Sequence, residues 1–298
     1  MIRRLGRFVR GSYPLPLSAV FAVAWAVGVT GLYAALDPRA HAWRPGGGTA
    51  VAAVTVVVDL LLLRAFDDLR DLPYDRRHNP GRPLARGAVL PRDLAVLLGG
   101  GMAALLLLNS ADHPAQLLLA VQFAYTTALV GAELRFGWPP GDAVVLSVLL
   151  SAPVQVLLNL YLYAVFLHDT GLGADRHALP VLAVVMLAAV HHELARKLVR
   201  TPRAEERSYV HVFGVRATCV LAVLFAVAST AVALAALRPG TGGAGAWGWL
   251  VVLPLLVVGR AAWRFTRGRA PRWPLQAAAG YLLTAFACYL VIGLGVTS

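Results

Sequence analysis

Charge is what this chain has least of: 14% of its 298 residues are Asp, Glu, Lys or Arg, where a soluble domain carries about a quarter. The length alone would allow two soluble domains, but 58% hydrophobic residues and a mean hydropathy of +0.67 exclude them. Cysteine is nearly absent. The two present, Cys219 and Cys288, fall inside apolar runs with neither disulfide nor metal-site spacing, so they read as small packing residues. The apolar runs, rich in Leu, Ala and Val, lack the period-two alternation that an outer-membrane barrel needs.

What the chain does have is a series of apolar runs close to the roughly 20 residues that a helical membrane span requires. Nine stand out, near Pro16–Leu36, Thr49–Arg64, Asp93–Asn109, Ala115–Glu133, Asp142–Phe166, Leu179–Lys197, Val215–Leu237, Trp247–Trp263 and Leu275–Val296. They predict an all-α integral membrane protein with nine transmembrane helices. The first run is too long, and lacks a small-residue cleavage site, to be a removable signal peptide.

The basic residues predict its orientation. Arg3, Arg4, Arg7 and Arg10 precede the first span, and further clusters follow the second, sixth and eighth. One face of the membrane thus receives 23 of the 27 basic residues, leaving Arg39, Arg44, Arg176 and Arg238 for the other. This asymmetry places the amino terminus and the richest loops in the cytoplasm, in a membrane expected to be bacterial. The net charge of +12 therefore reads as topology and contact with anionic lipid, not as nucleic-acid binding.

The two long connections lie on the basic side, four spans apart. The first reads RAFDDLRDLPYDRRHNPGRPLARG (64–87) and the second HHELARKLVRTPRAEERSYVHVFG (191–214). Each mixes acids with bases, a weak internal repeat in which two halves present charged helix ends to one site. By contrast Pro45–Gly48 and Gly240–Gly245 read as flexible turns on the other side.

In the first segment Asp67, Asp68, Asp71 and Asp75 sit within nine residues at the end of a span. Spacings of three and four put Asp67 or Asp68 on one helical face with Asp71. Carboxylates so close repel unless neutralised, and magnesium shared between a few carboxylates and substrate phosphates is a common remedy. Pairing with Arg70, Arg76 and Arg77 as solvated loop charges is the competing account. Pro73 predicts that the helix ends or kinks near Leu72, with Asp75 on a turn. Arg82 and Arg86 follow on a Pro-Gly framework, and arginine's planar fork suits phosphate oxygens.

In the second segment Glu193, Arg196, Lys197 and Arg200 fall at helical offsets that share one face. Glu193 lies within its span, where carboxylates are rare and functional by default; an ion pair with Lys197 is the plainer account. His191 and His192 precede it, but Arg196 stands where a zinc-protease motif needs its second histidine, so packing or interhelical hydrogen bonds are expected. Asp59, two turns before Asp67, is a buried acid that could accept a proton or pair with a base.

With nine spans, an Asp-rich loop after the second and a second acidic segment at the sixth, the chain resembles the UbiA superfamily of intramembrane prenyltransferases over essentially its whole length. The family pattern Asn-Asp-x-x-Asp-x-x-x-Asp is matched by Asp67-Asp68-Leu-Arg-Asp71-Leu-Pro-Tyr-Asp75, followed by Arg82-Pro83-Leu84 and Gly87. Two features depart: Asp67 replaces the leading Asn, and the second motif, Asp-x-x-x-Asp in the family, is reduced to Glu193 with Arg196 and Lys197.

The resemblance implies a single domain over residues 1–298, its helices bundled around a central cavity open to the cytoplasm. It implies that Asp67 and Asp71 hold magnesium against an isoprenyl diphosphate, that Asp68, Asp75 and Glu193 add ligands, and that Arg82, Arg86, Arg196, Lys197 and Arg200 meet the phosphates. Ionisation would leave an allylic cation in that cavity, with Gln155, Asn159, Tyr163, Tyr161, Tyr125 and Phe166 as candidate lining. The cation would pass to a lipophilic acceptor, aromatic or lipid; the alternative is a terpene cyclase using no acceptor. A transporter would need charges near the centre of several spans, and a CDP-alcohol phosphotransferase needs a Gly and an Ala-Arg that do not follow Asp71.

Overall fold

The structure is a computed structural model and describes residues 1–298 except 41, 42, 141, 242, 243, 297 and 298; part of the Gly240–Gly245 linker thus lies outside the described residues. Among the described residues there is no strand, only an isolated antiparallel bridge between Val199 and Arg272. An amphipathic helix, α1 (Ile2–Ser12), leads into α2 (Leu15–Leu36). After α3 (Gly47–Arg70) comes a short α4 (Leu72–His78), then α5 (Pro91–Leu108), α6 (His113–Phe136), α7 (Val144–Thr170) and α8 (Ala178–Arg196). The chain continues through α9 (Val210–Leu237), a 3-10 segment Gly245–Val252 running into α10 (Pro254–Thr266), and α11 (Leu275–Val296).

Nine of these stretches are long and apolar enough to cross a membrane, counting 245–266 as one, so the chain is an integral membrane protein. The reason is physical: backbone groups in hydrocarbon must be paired within the segment, and a helix does this. Large apolar side chains such as Leu17, Leu107, Leu149 and Leu256 point outward, each more than 60% exposed, where lipid would cover them. Prolines occupy the first two positions of α2, α4, α5, α6 and α10, where the missing N–H is harmless.

The helices pack as a closed bundle. α2 contacts α3, α7, α8 and α11; α3 contacts α5 and α6; α8 pairs with α9. First and last spans run parallel and approach closely because Gly31 faces Gly293, where a side chain would strike the opposite backbone. Trp25 stacks on Phe286 at 6.1 Å between ring centroids beside this contact.

Several expectations change. Gly47 and Gly48 begin α3 instead of forming a flexible turn, and the Asp169 carboxylate of α7 accepts from Thr49 N at 3.0 Å at that helix start. α3 runs past Arg64 to Arg70, carrying Asp67 and Asp68 on its last turn. The break comes at Asp71, but Asp75 is helical, because Pro73 can begin a helix as well as end one. α9 starts before Val215 and is interrupted at Gly214, whose φ of 76° suits glycine alone.

The helix ends alternate between an arginine-rich end, with α1, α4 and the loop after α8, and an opposite end. Two grooves are prominent. One of about 440 Å³ between α2 and α11 is lined by apolar residues including Val23, Phe286 and Leu290; one of about 730 Å³ at the opposite end is lined by residues including Asp112, His113, Leu160 and Tyr163. Neither is the central cavity expected from sequence: Asn159, Tyr161 and Phe166 are buried in the packed bundle, and Tyr163 faces the groove at the opposite end.

Candidate functional site

The last turn of α3 projects its acids to different surroundings, since neighbours on a helix diverge by about 100°. Asp68 points inward and is 1% exposed. Its carboxylate pairs with Arg64 one turn earlier at 2.6 Å and accepts from Ser12 Oγ of α1 at 2.8 Å. Asp75 on α4 is also buried and pairs with Arg82 at 2.5 Å, with Asn79 Nδ2 donating at 2.8 Å. Arg82 reaches towards Asp68 as well, at 3.7 Å. These two acids with Arg64 and Arg82 form a closed knot that fixes the 75–82 loop against the end of α3.

Asp67 and Asp71 are placed otherwise. The Asp67 side chain is 50% exposed and meets Arg70 at 3.3 Å. Arg70 also lies 3.5 Å from Asp71 and 3.6 Å from Glu133 on α6, so one guanidinium faces three carboxylates. Asp71 receives Arg207 Nη1 at 2.8 Å.

Arg207 belongs to the second segment, which folds over the first. Tyr74 donates to the carbonyl of Glu205 at 3.1 Å, His78 lies 3.1 Å from the Glu205 carboxylate, and Arg207 sits over the Tyr74 ring at 4.6 Å. Glu193, at the end of α8, pairs with Lys197 at 2.7 Å and with Arg196, and accepts from Tyr209 Oη at 2.9 Å. Burial first, then the adjacent Glu193 charge, raises the Tyr209 phenol above its ordinary value, so it serves there as a proton-bearing donor.

Other expected residues are used elsewhere. Arg200 lies beyond the end of α8, so it does not share the Glu193 face; it caps the carbonyls of Phe265 and Ala270 and stacks over the Phe265 ring at 4.7 Å. Arg86 is exposed, without an ion pair among the described residues. Asn159 accepts from Trp25 Nε1 at 3.1 Å and donates to the Gln155 carbonyl at 2.8 Å. Tyr163 lies near the opposite end, accepting from Asp175 N at 2.9 Å. His191 and His192 bond to the carbonyls of Ala222 and Ala278, the interhelical role expected of them. Asp59 is held by the Gln122 amide at 3.1 and 3.2 Å, not by a base. Sequence reasoning missed Ser12, Glu133 and Tyr209, whose parts depend on contacts many residues away.

At the opposite end Asp37, Asp175 and His177 bring one ligand atom each within 4.8 Å of one another, a grouping that sequence reading did not foresee. Arg39 answers their charge directly, binding Asp37 at 2.7 Å and Asp175 at 3.1 Å. Hydrogen bonds from Arg39 hold the Asp37 carboxyl below its usual range, and those from His177 do the same for Asp175.

No protein-family model and no curated protein matches the chain. Among solved structures, the apo structure of a UbiA homolog from Aeropyrum pernix K1 superposes with a TM-score of 0.61 over 93% of this chain and 96% of that one, at 16% identity. At that identity the likeness is one of fold: the chain has the fold of a UbiA homolog.

Proposed function

We propose that the chain is a magnesium-dependent intramembrane enzyme that ionises an isoprenyl diphosphate at its arginine-rich end and passes the prenyl group to a lipophilic acceptor. One observation carries this reading: the 2.8 Å ion pair between Asp71 and Arg207, which draws two charged segments four spans apart into one site. The UbiA-like fold supports it, as does the first motif that the sequence shares with that superfamily.

Of the five carboxylates considered for the metal, two fit. Magnesium keeps much of its coordination for water and substrate phosphate and asks for one or two protein carboxylates. Asp67 is half open, and Asp71 is held only by guanidinium groups that a phosphate would attract equally. Asp68, Asp75 and Glu193 are engaged with cations and with hydroxyl or amide donors, and act as supports. When bound, magnesium supplies charge neutralisation of the leaving diphosphate.

The side chains supply the rest. Arg70 and Arg207 release their carboxylates to bind phosphate oxygens, and Arg196 and Lys197, 46% and 25% exposed at the side chain, stand beside them. Cations placed where negative charge develops lower the barrier to C–O cleavage. The leaving group takes the bonding pair, and the allylic cation that remains must be kept from water, which would otherwise quench it. The cyclase reading shares every step up to this point.

The deciding experiment is incubation of the purified protein with magnesium and prenyl diphosphates of increasing length, with no acceptor, following pyrophosphate and organic products by mass spectrometry. Product only after an aromatic or lipid acceptor is added supports transfer. Cyclic products without acceptor establish the cyclase, and absence of pyrophosphate release under every condition ends both readings.

A further inference from the structure

The amino-terminal helix α1 has two faces with opposite fates. Leu5, Phe8 and Val9 turn into the bundle, and Phe8 is fully buried. On the flank of that face Arg4 grips Asp93 of α5 through two bonds of 2.6 and 2.9 Å. At the helix end Ser12 donates to Asp68, and Gly11 lies directly on Pro83.

The other face carries Arg3, Arg7 and Arg10, spaced four and three so that they form one stripe. All three are exposed, and none has an ion-pair partner among the described residues. Three like charges on one helical face repel each other unless an anion covers them. Beside the stripe, Met1 and Ile2 stand 57% and 81% exposed. α1 ends two residues before α2 enters the membrane, so stripe and apolar tip lie at the depth of lipid headgroups.

We propose that this stripe is a docking surface for anionic phospholipid headgroups, and that Ser12 and Gly11 carry the contact to Asp68 and the 82–86 loop. A soluble anion would satisfy the arginines but would leave Ile2 in water; a phospholipid bilayer meets both. The basic stripe and the negative surface potential of a bilayer are complementary. Only the coupling to Asp68 rests on the reaction site proposed above; the docking does not.

The test uses the full chain in vesicles of phosphatidylcholine with and without phosphatidylglycerol, extracted gently and weighed by native mass spectrometry to count retained lipids. The expected result is preferential retention of phosphatidylglycerol, reduced at least about fivefold in an Arg3→Gln/Arg7→Gln/Arg10→Gln variant. An Arg260→Gln/Arg264→Gln/Arg267→Gln variant, which removes equal charge from the same end, keeps the preference. Equal loss in both variants, or loss in neither, overturns the proposal. A nitroxide on an Ile2→Cys variant, with Cys219 and Cys288 buried, gives a second reading: lipid-like accessibility in phosphatidylglycerol vesicles supports docking, and water-like accessibility overturns it. Because the readouts are lipid retention and depth, not turnover, failure of the docking is distinguishable from failure of the proposed reaction.

Discussion

Both ends of this bundle gather acids around arginine, yet they do so in different arrangements. At the opposite end Arg39 answers Asp37 and Asp175 together, with both acids held by short bonds from groups in the two adjacent connections. The result is a clasp whose charge is answered from within. At the arginine-rich end the acids are spread over α3, α4, α6 and α8, and they divide into a buried knot around Asp68 and Asp75 and an open pair, Asp67 and Asp71. A cluster closed on itself holds a loop, whereas acids left partly open beside further cations are the ones proposed above to receive metal and phosphate.

The sharpest break of this comparison is at the open pair. Asp67→Ala or Asp71→Ala is expected to lower pyrophosphate release by more than about a hundredfold while thermal unfolding in detergent stays within a few degrees of the parent. Chelation of magnesium should reproduce the same loss of release and also leave unfolding unmoved. Full activity in either variant removes the site assignment.

The neighbour Asp68 should behave in the reverse order. Asp68→Asn leaves Arg64 without its buried partner, a change worth about 3 kcal/mol of stability, visible as a lowered unfolding midpoint. If Asp68→Asn unfolds normally but is inactive, the buried knot is part of the chemistry and the division between the two pairs fails.

At the opposite end Arg39→Gln is expected to destabilise by about 1–3 kcal/mol, because Asp37 is buried with its charge unanswered, and to leave pyrophosphate release intact. The pH dependence carries a defined sign. Arg39 depresses the Asp37 carboxyl in the folded chain, so the unfolded chain binds that proton more readily. The contribution is present above the ordinary carboxylate value of about 4 and lost as pH falls through the lower folded value. The parent should therefore lose stability below about pH 4 more steeply than the variant does. Smallest of all, Tyr209→Phe should cost about 1 kcal/mol, seen as a slight fall in midpoint with the Glu193 ion pairs retained.

Much of the fold was legible because a membrane span writes itself as one uninterrupted apolar run, and all nine were found with no end more than six residues off. α1 was not, because four arginines in a short segment resemble a topological signal more than a helix. The acids were legible as a group but not individually. Nothing in Asp67-Asp68 tells which carboxylate turns inward, since that depends on Arg64 beneath and Ser12 in a different helix. Arg207 could not be matched to Asp71 from spacing, as 136 residues separate them. Tyr163 could have been excluded by arithmetic: at about 1.5 Å per residue from the start of α7 it lies nearly a full membrane thickness from the acids.

The parallel contact of α2 with α11 has a consequence for how the protein is made. Synthesis delivers α2 to the membrane with its glycine face bare, and the helix that covers it emerges only after seven intervening spans have been inserted. Until then that face has only lipid or a passing chaperone to rest on. Assembly of the bundle is thus ordered by its last helix, and truncations near the carboxyl end should be caught by quality control even though every acid at the arginine-rich end is intact.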